Sequence, residues 1–299
     1  MKRSTPASKV NKAKAVAFSL AFLIINNFFP DHFLRAQQIP LLNGTLITQA
    51  YIDEIEANLT DERLMPFDPE NPDLNDVFTI EVFVVRDDLG NLNFEVADLN
   101  TAIANLNSQF EPMGISFNTG SIKDVPEYEY SFITNQDSTK ELEVKYAHQD
   151  KINLFLVDSI LLNGFDYYGY TFYPTESNRN FIFLRKDYIL QNYLTTLMGC
   201  FFGLLFTHEK MGGTEYVSGS NCESAGDYIC DTYADPGLFE MVDESCHYVG
   251  NARDPEGEFY IPSVANIMSE SPDTCKCNFT NEQYRRMKYY LFNLRDYLR

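Results

Sequence analysis

Apolar and polar positions divide the chain into stretches of different character. Residues 15–29 form an apolar run, with Ser19 the one polar residue before it is broken by Asn26 and Asn27, and follow a basic start of Lys2, Arg3, Lys9, Lys12 and Lys14. That run is short for a bilayer span and fits the core of an export signal, with Leu34-Arg35-Ala36 as the cleavage site. Residues 1–36 are therefore expected to be a signal peptide, and an uncleaved N-terminal anchor is the competing reading. Residues 37–76 are polar and acidic. A helix over 49–59 leads into Pro66, Asp68, Pro69, Asn71, Pro72 and Asp73, which read as a linker, so the folded body is expected to begin near Val77.

From there the β-branched and aromatic run from Phe78 to Val85 predicts a strand, and Asp87-Asp88-Leu89-Gly90-Asn91 a turn. Leu99, Ile103, Leu106 and Phe110 recur at helical spacing. Further strands are expected at 114–117, 151–157 and 180–184. The aromatic stretch 164–174 reads as a loop and an edge strand, and an apolar helix is expected over 188–204. From Thr207 to Ser271 periodicity is lost and glycine, cysteine and acidic residues accumulate; disulfides or bound ions would have to hold such a stretch. A final helix opens at Thr280, with Gln283 placed for a capping box. Tyr284, Met287, Leu291, Leu294 and Leu298 form its apolar stripe.

Charge narrows the range of partners. The net charge is −20, and the leader holds six basic residues and one acidic, so the remainder carries 17 basic against 42 acidic residues, a net −25. Such a surface repels phosphate, which argues against nucleic acid and anionic membranes, and no stable membrane insertion is expected once the signal is removed. The 44% hydrophobic fraction excludes a disordered chain. All six cysteines lie between Cys200 and Cys277. In an exported protein this predicts disulfides among Cys222, Cys230, Cys246, Cys275 and Cys277, although spacing does not fix their pairing. Cys200, inside an apolar segment, is the expected unpaired thiol.

One segment carries a resemblance. Gly199-Cys200-Phe201-Phe202-Gly203-Leu204-Leu205-Phe206-Thr207-His208-Glu209 resembles the active-site helix and following turn of the pappalysin-type (ulilysin-like) metzincins, secreted zinc endopeptidases with the signature H-E-x-x-H-x-x-G-x-x-H. Gly226-Asp227-Tyr228-Ile229-Cys230-Asp231-Thr232 is similar to that family's G-D-x-x-x-D-T-P loop, with Tyr233 in place of the proline. Asn266-Ile267-Met268-Ser269 is similar to its methionine turn, and Phe279-Thr280-Asn281-Glu282-Gln283 to its C-terminal helix start. The resemblance covers residues 77–299. It implies an α/β (α+β) metzincin-like fold: an upper subdomain, 77–204, with a mixed twisted sheet and two long helices, and a lower, irregular, disulfide-bonded subdomain, 205–299. It also favours a Cys230–Cys246 disulfide, with Cys222 joined to Cys275 or Cys277.

In that signature two histidines one turn apart share a zinc ion, a glycine turns the chain so that a third histidine reaches it, and the glutamate activates bound water. Here Thr196 stands at the first histidine, Leu197 at the glutamate, Cys200 at the second histidine, Phe206 at the third, and Glu270 at the tyrosine after the methionine turn. Gly203, which ends the helix, and Met268, the floor beneath the metal, are retained. Every position that does chemistry is changed, while these two backbone-shaping positions are kept. The expectation is an exported pseudopeptidase without zinc, whose residual cleft binds a peptide or protein, or pairs with an active relative.

Other readings stay open. His208-Glu209 begins a motif that Gly212 fails to complete. Cys200, Glu270 and one of His208 or His247 are candidates for a relocated metal site, which would keep the chain a metallopeptidase. Asp227 and Asp231 either bind calcium or cap backbone amides. The aromatic run 165–173 either lines a groove or packs a strand, and an adhesive or structural role is a further alternative.

Overall fold

A computed structural model describes residues 42–175 and 179–299; the signal peptide expected at 1–36 lies outside them. Among the described residues, strands β1 (Leu42–Asn43), β2 (Asp76–Val85), β3 (Ile115–Val125), β4 (Phe132–Ile133), β5 (Ile152–Val157), β6 (Ser159–Leu162), β7 (Phe165–Thr171) and β8 (Phe181–Arg185) form one sheet. Its order is β3-β2-β5-β8-β7-β6-β4, with β1 paired to β7. The pairs from β3 to β8 are parallel, and β7 runs antiparallel to β8 and to β6.

Parallel strands covered on both faces need apolar residues on both, and β2, β5 and β8 supply them with a period of two. Ile80, Val82, Val84, Leu154, Leu156, Ile182 and Leu184 face one cluster, which also holds helices α1 (Gln49–Leu64), α2 (Val96–Phe110), α4 (Tyr193–Phe201) and α5 (Asn281–Asn293). Phe83, Val85, Phe155, Val157 and Phe183 face a second, smaller cluster closed by Ile133 and by Leu142 of α3 (Lys140–Tyr146). Glu81 is buried among these strands. Burial opposes its charge, but hydrogen bonds from Ser121 and Lys151 outweigh that and hold its carboxyl at about 2.

The four residues predicted at helical spacing, Leu99, Ile103, Leu106 and Phe110, are all buried on α2. The capping box at Thr280 and Gln283 is formed in both directions. The α5 helix stops at Asn293, so Leu298 falls in a separate short turn. The apolar helix expected over 188–204 is shorter, Tyr193–Phe201: a tight turn takes up 186–188, and Gly203 ends the helix at φ +99°. Gly203 cannot be larger, because a Cβ there would come within 2.4 Å of Tyr290. The stretch 164–174 is not an edge: β7 is bonded to β8, β6 and β1.

The largest correction concerns residues 42–76 of the stretch expected as a linker. They are not a linker, and the folded body begins by Leu42. The α1 helix buries Tyr51, Ile52 and Ile55 in the main core. Its Glu62 makes a buried ion pair with Arg286 at 2.7 Å, and its Tyr51 hydroxyl donates to the Gly203 carbonyl at 2.7 Å. The apolar face of α1 is narrow and was diluted by the acidic residues around it, so its sequence looked like a solvated spacer.

Candidate functional site

The α4 helix lies under β7, and the two touch closely. A Cβ on Gly169 of β7 would come within 2.6 Å of the Leu197 side chain. Thr196 is fully buried, and its hydroxyl donates to the Ile267 carbonyl at 3.3 Å. Cys200 is fully buried, and its sulfur accepts from the Asn43 amide at 3.7 Å. Burial pushes its thiol up to about 12, so at neutral pH it is protonated. Phe206 is half-buried against the main core, its ring 5.4 Å from that of His208. Met268 lies beneath the helix: a Cβ on Gly199 would come within 2.8 Å of its sulfur.

These donors do not fit zinc. A catalytic zinc site takes three protein ligands and leaves one position open. Here the Thr196 hydroxyl is already committed to a carbonyl, the Cys200 sulfur is held neutral, and Phe206 offers no lone pair. Among the described residues no three His, Cys, Asp or Glu side chains converge on a common point. The relocated set is only half assembled. His208 Nε2 approaches Glu270 at 3.4 Å, but His247 is exposed and paired with Asp243. Glu209 accepts from the backbone of Lys210 and Met211, as a loop-capping residue does.

Asp227 and Asp231 both accept capping hydrogen bonds. Asp227 accepts from the Ile229 amide and the Thr232 hydroxyl, and Asp231 from the Glu282 amide. The Asp227 side chain has a second neighbour that the sequence did not suggest. Among the described residues, Glu215 and Asp227 each leave one buried carboxylate oxygen without a hydrogen-bond partner. Burial, then the charges of Asp227 and Asp235, push Glu215 up to about 8, and burial pushes Asp227 up to about 7.

The disulfides differ from those the resemblance favoured. They join Cys222 to Cys230 and Cys246 to Cys275, while Cys200 and Cys277 are free. Left-handed turns at Gly226 and Tyr228 fold the chain back, so that the Cα atoms of Cys222 and Cys230 lie 5.1 Å apart. Extended backbone at Lys276 separates Cys275 from the exposed Cys277. A competition between two nearby cysteines was thereby resolved by local turns that spacing does not encode.

Two residues at the site carried no sequence signal. Asn43 comes from far upstream on β1. Lys276 is buried beside the cysteines, and burial pulls its amine down to about 8, opposed by Asp273, Glu270 and Cys200. The aromatic run packs rather than lining a groove: Tyr168 stacks on Tyr193 at 4.0 Å, Tyr170 on Phe183 at 4.7 Å and Tyr173 on Tyr51 at 4.4 Å.

The chain is similar in fold to solved proteins. A promirolysin variant from Tannerella forsythia is similar over 83% of this chain and 90% of its own, with 16% identity and a TM-score of 0.53. The fold is metzincin-like. Mirolysin in complex with compound 9 is similar over 74% of this chain and 95% of its own, with 17% identity and a TM-score of 0.53. At such identities the metzincin likeness is one of fold. No family model and no curated protein matches the sequence.

Proposed function

We propose that this chain is a non-catalytic member of the pappalysin-type metzincins, exported, which uses its residual cleft to bind a peptide or protein, including an active relative. The observation that carries this reading is the packing of the former metal position: Thr196, Leu197 and Cys200 are all fully buried between Met268 and β7. A helix that had merely lost its ligands would leave a hollow there. Removing three ligands and the general base together takes away both metal affinity and the means of activating water. Two disulfides accord with an oxidising compartment, and among the described residues no helix is long and apolar enough to cross a membrane.

Elemental analysis of the purified protein tests it, together with incubation against a mixed peptide library with and without a chelator. The expected result is well under one zinc per chain and no chelator-sensitive cleavage. One zinc per chain with such cleavage would end the reading.

The contact between His208 and Glu270 favours a second reading, a rebuilt metal site. On that reading Glu270→Ala removes bound metal; on the first, it changes no metal content.

A further inference from the structure

Three short loops of the chain share one geometry. In each, an aspartate carboxylate accepts from the amide four residues on: Asp87 from Asn91 at 2.7 Å, Asp243 from His247 at 2.9 Å and Asp254 from Glu258 at 2.8 Å. The carbonyl of the same aspartate accepts from the amide three residues on, which belongs to Gly90, Cys246 and Gly257 respectively. These three residues have left-handed backbone, with φ of +82°, +61° and +93°. Glycine takes that conformation freely, and a residue with a Cβ does so at a cost. Two of the loops meet it with glycine, and the third holds Cys246 there. The sulfur is what the third loop gains in return.

That sulfur has two possible partners close together. Cys246 is bonded to Cys275, and Cys277 is free and exposed. One extended residue, Lys276, separates the latter two, a step of about 7 Å along the chain. Cys246 is half-buried, and Asp243, Glu244, Ser245 and His247 around it are all exposed, so its loop has room to follow such a step. Cys200 is fully buried and takes no part.

We infer that Cys246, Cys275 and Cys277 form a thiol–disulfide exchange site, in which the bond to Cys246 passes between Cys275 and Cys277. The Cys277 thiolate attacks Sγ of Cys246. A Cys246–Cys277 bond forms as the Cys246–Cys275 bond breaks, and the electron pair of the broken bond leaves on Cys275, whose thiolate takes a proton from water. One thiol and one disulfide enter and one of each leave, so the step needs no oxidant or reductant. Cys275 ends the turn Asp273–Cys275, and the Asp273 carboxylate accepts from the Asn192 amide at 2.8 Å, at the start of α4. Exchange therefore changes what fastens the turn that holds the start of α4. It does so whether or not the cleft is catalytic.

The test blocks thiols of the native, full-length protein with N-ethylmaleimide at pH 8 and digests it with trypsin without reduction. Cleavage after Lys276 puts Cys275 and Cys277 on separate peptides. Mass spectrometry is expected to find most label on Cys277, and in at least about one chain in a hundred label on Cys275 with Cys246 linked to Cys277. The two forms, separated at pH 4 where thiolate is scarce, should each return to the same mixture at pH 8 within minutes to hours. In Cys277→Ser no label should reach Cys275. Absence of the second form, or forms that keep their pairing at pH 8, would overturn the inference. Label on Cys275 in Cys277→Ser would overturn it too, since it would mark a bond left unformed rather than one exchanged.

Discussion

Cys200 is held as a small apolar side chain, fully buried, with its thiol unable to ionise at neutral pH. The surrounding apolar side chains remove the capacity of its sulfur to ionise. Reactivity belongs to the thiolate. Treatment of the native protein with a thiol-alkylating reagent should therefore label Cys277 rapidly and leave Cys200 untouched, with both labelled after denaturation. Fast labelling of Cys200 in the native state would mean that the cleft floor is open. Gly203 makes the complementary point. Its backbone is left-handed and its hydrogen atom faces two tyrosines, so the fold itself requires glycine there.

Among the elements, α1 ties the N-terminal segment to the C-terminal helix. Arg286 donates to Glu62 and to the carbonyls of Asp227 and Tyr228, all of them buried. Replacing Glu62 by alanine leaves the guanidinium without its counter-charge in the core. Breaking such a pair from one side costs about 3–5 kcal/mol, to be read as a fall in the urea midpoint. An unchanged midpoint would mean that α1 is a loosely attached appendage after all.

Across the protein, two sets of carboxylates set opposite pH trends. Glu81 has a folded value of about 2, below its ordinary range, so its contribution is complete above the unfolded value, about 4.5, and is lost as pH falls toward 2. Glu215 and Asp227 have raised folded values, about 8 and about 7. The folded state therefore holds their protons more tightly, and stability declines as pH rises from about 4 toward 8. Thermal unfolding followed across pH should show a maximum near pH 4 to 5. Glu215→Gln should flatten the neutral side of that curve and leave the acid side as it was. A curve that keeps rising to pH 8 would contradict the burial of these two groups.

Period-two strands, the helical spacing of α2 and the capping box at Thr280 are local properties, written in residue type and spacing, and for that reason they could be read directly from the chain. The position of α1 could not, because its narrow apolar face gains meaning only beside Tyr290 and Arg286, more than two hundred residues away. Nor could the disulfide pairing, which depends on left-handed turns at Gly226 and Tyr228, or the buried meeting of Glu215 with Asp227. Above all, the sequence determined that Thr196, Cys200 and Phe206 bring no histidine to their position. That the position is packed, and that Asn43 reaches down to cover it, was decided by the tertiary structure, because burial and long-range contact depend on which distant surfaces meet.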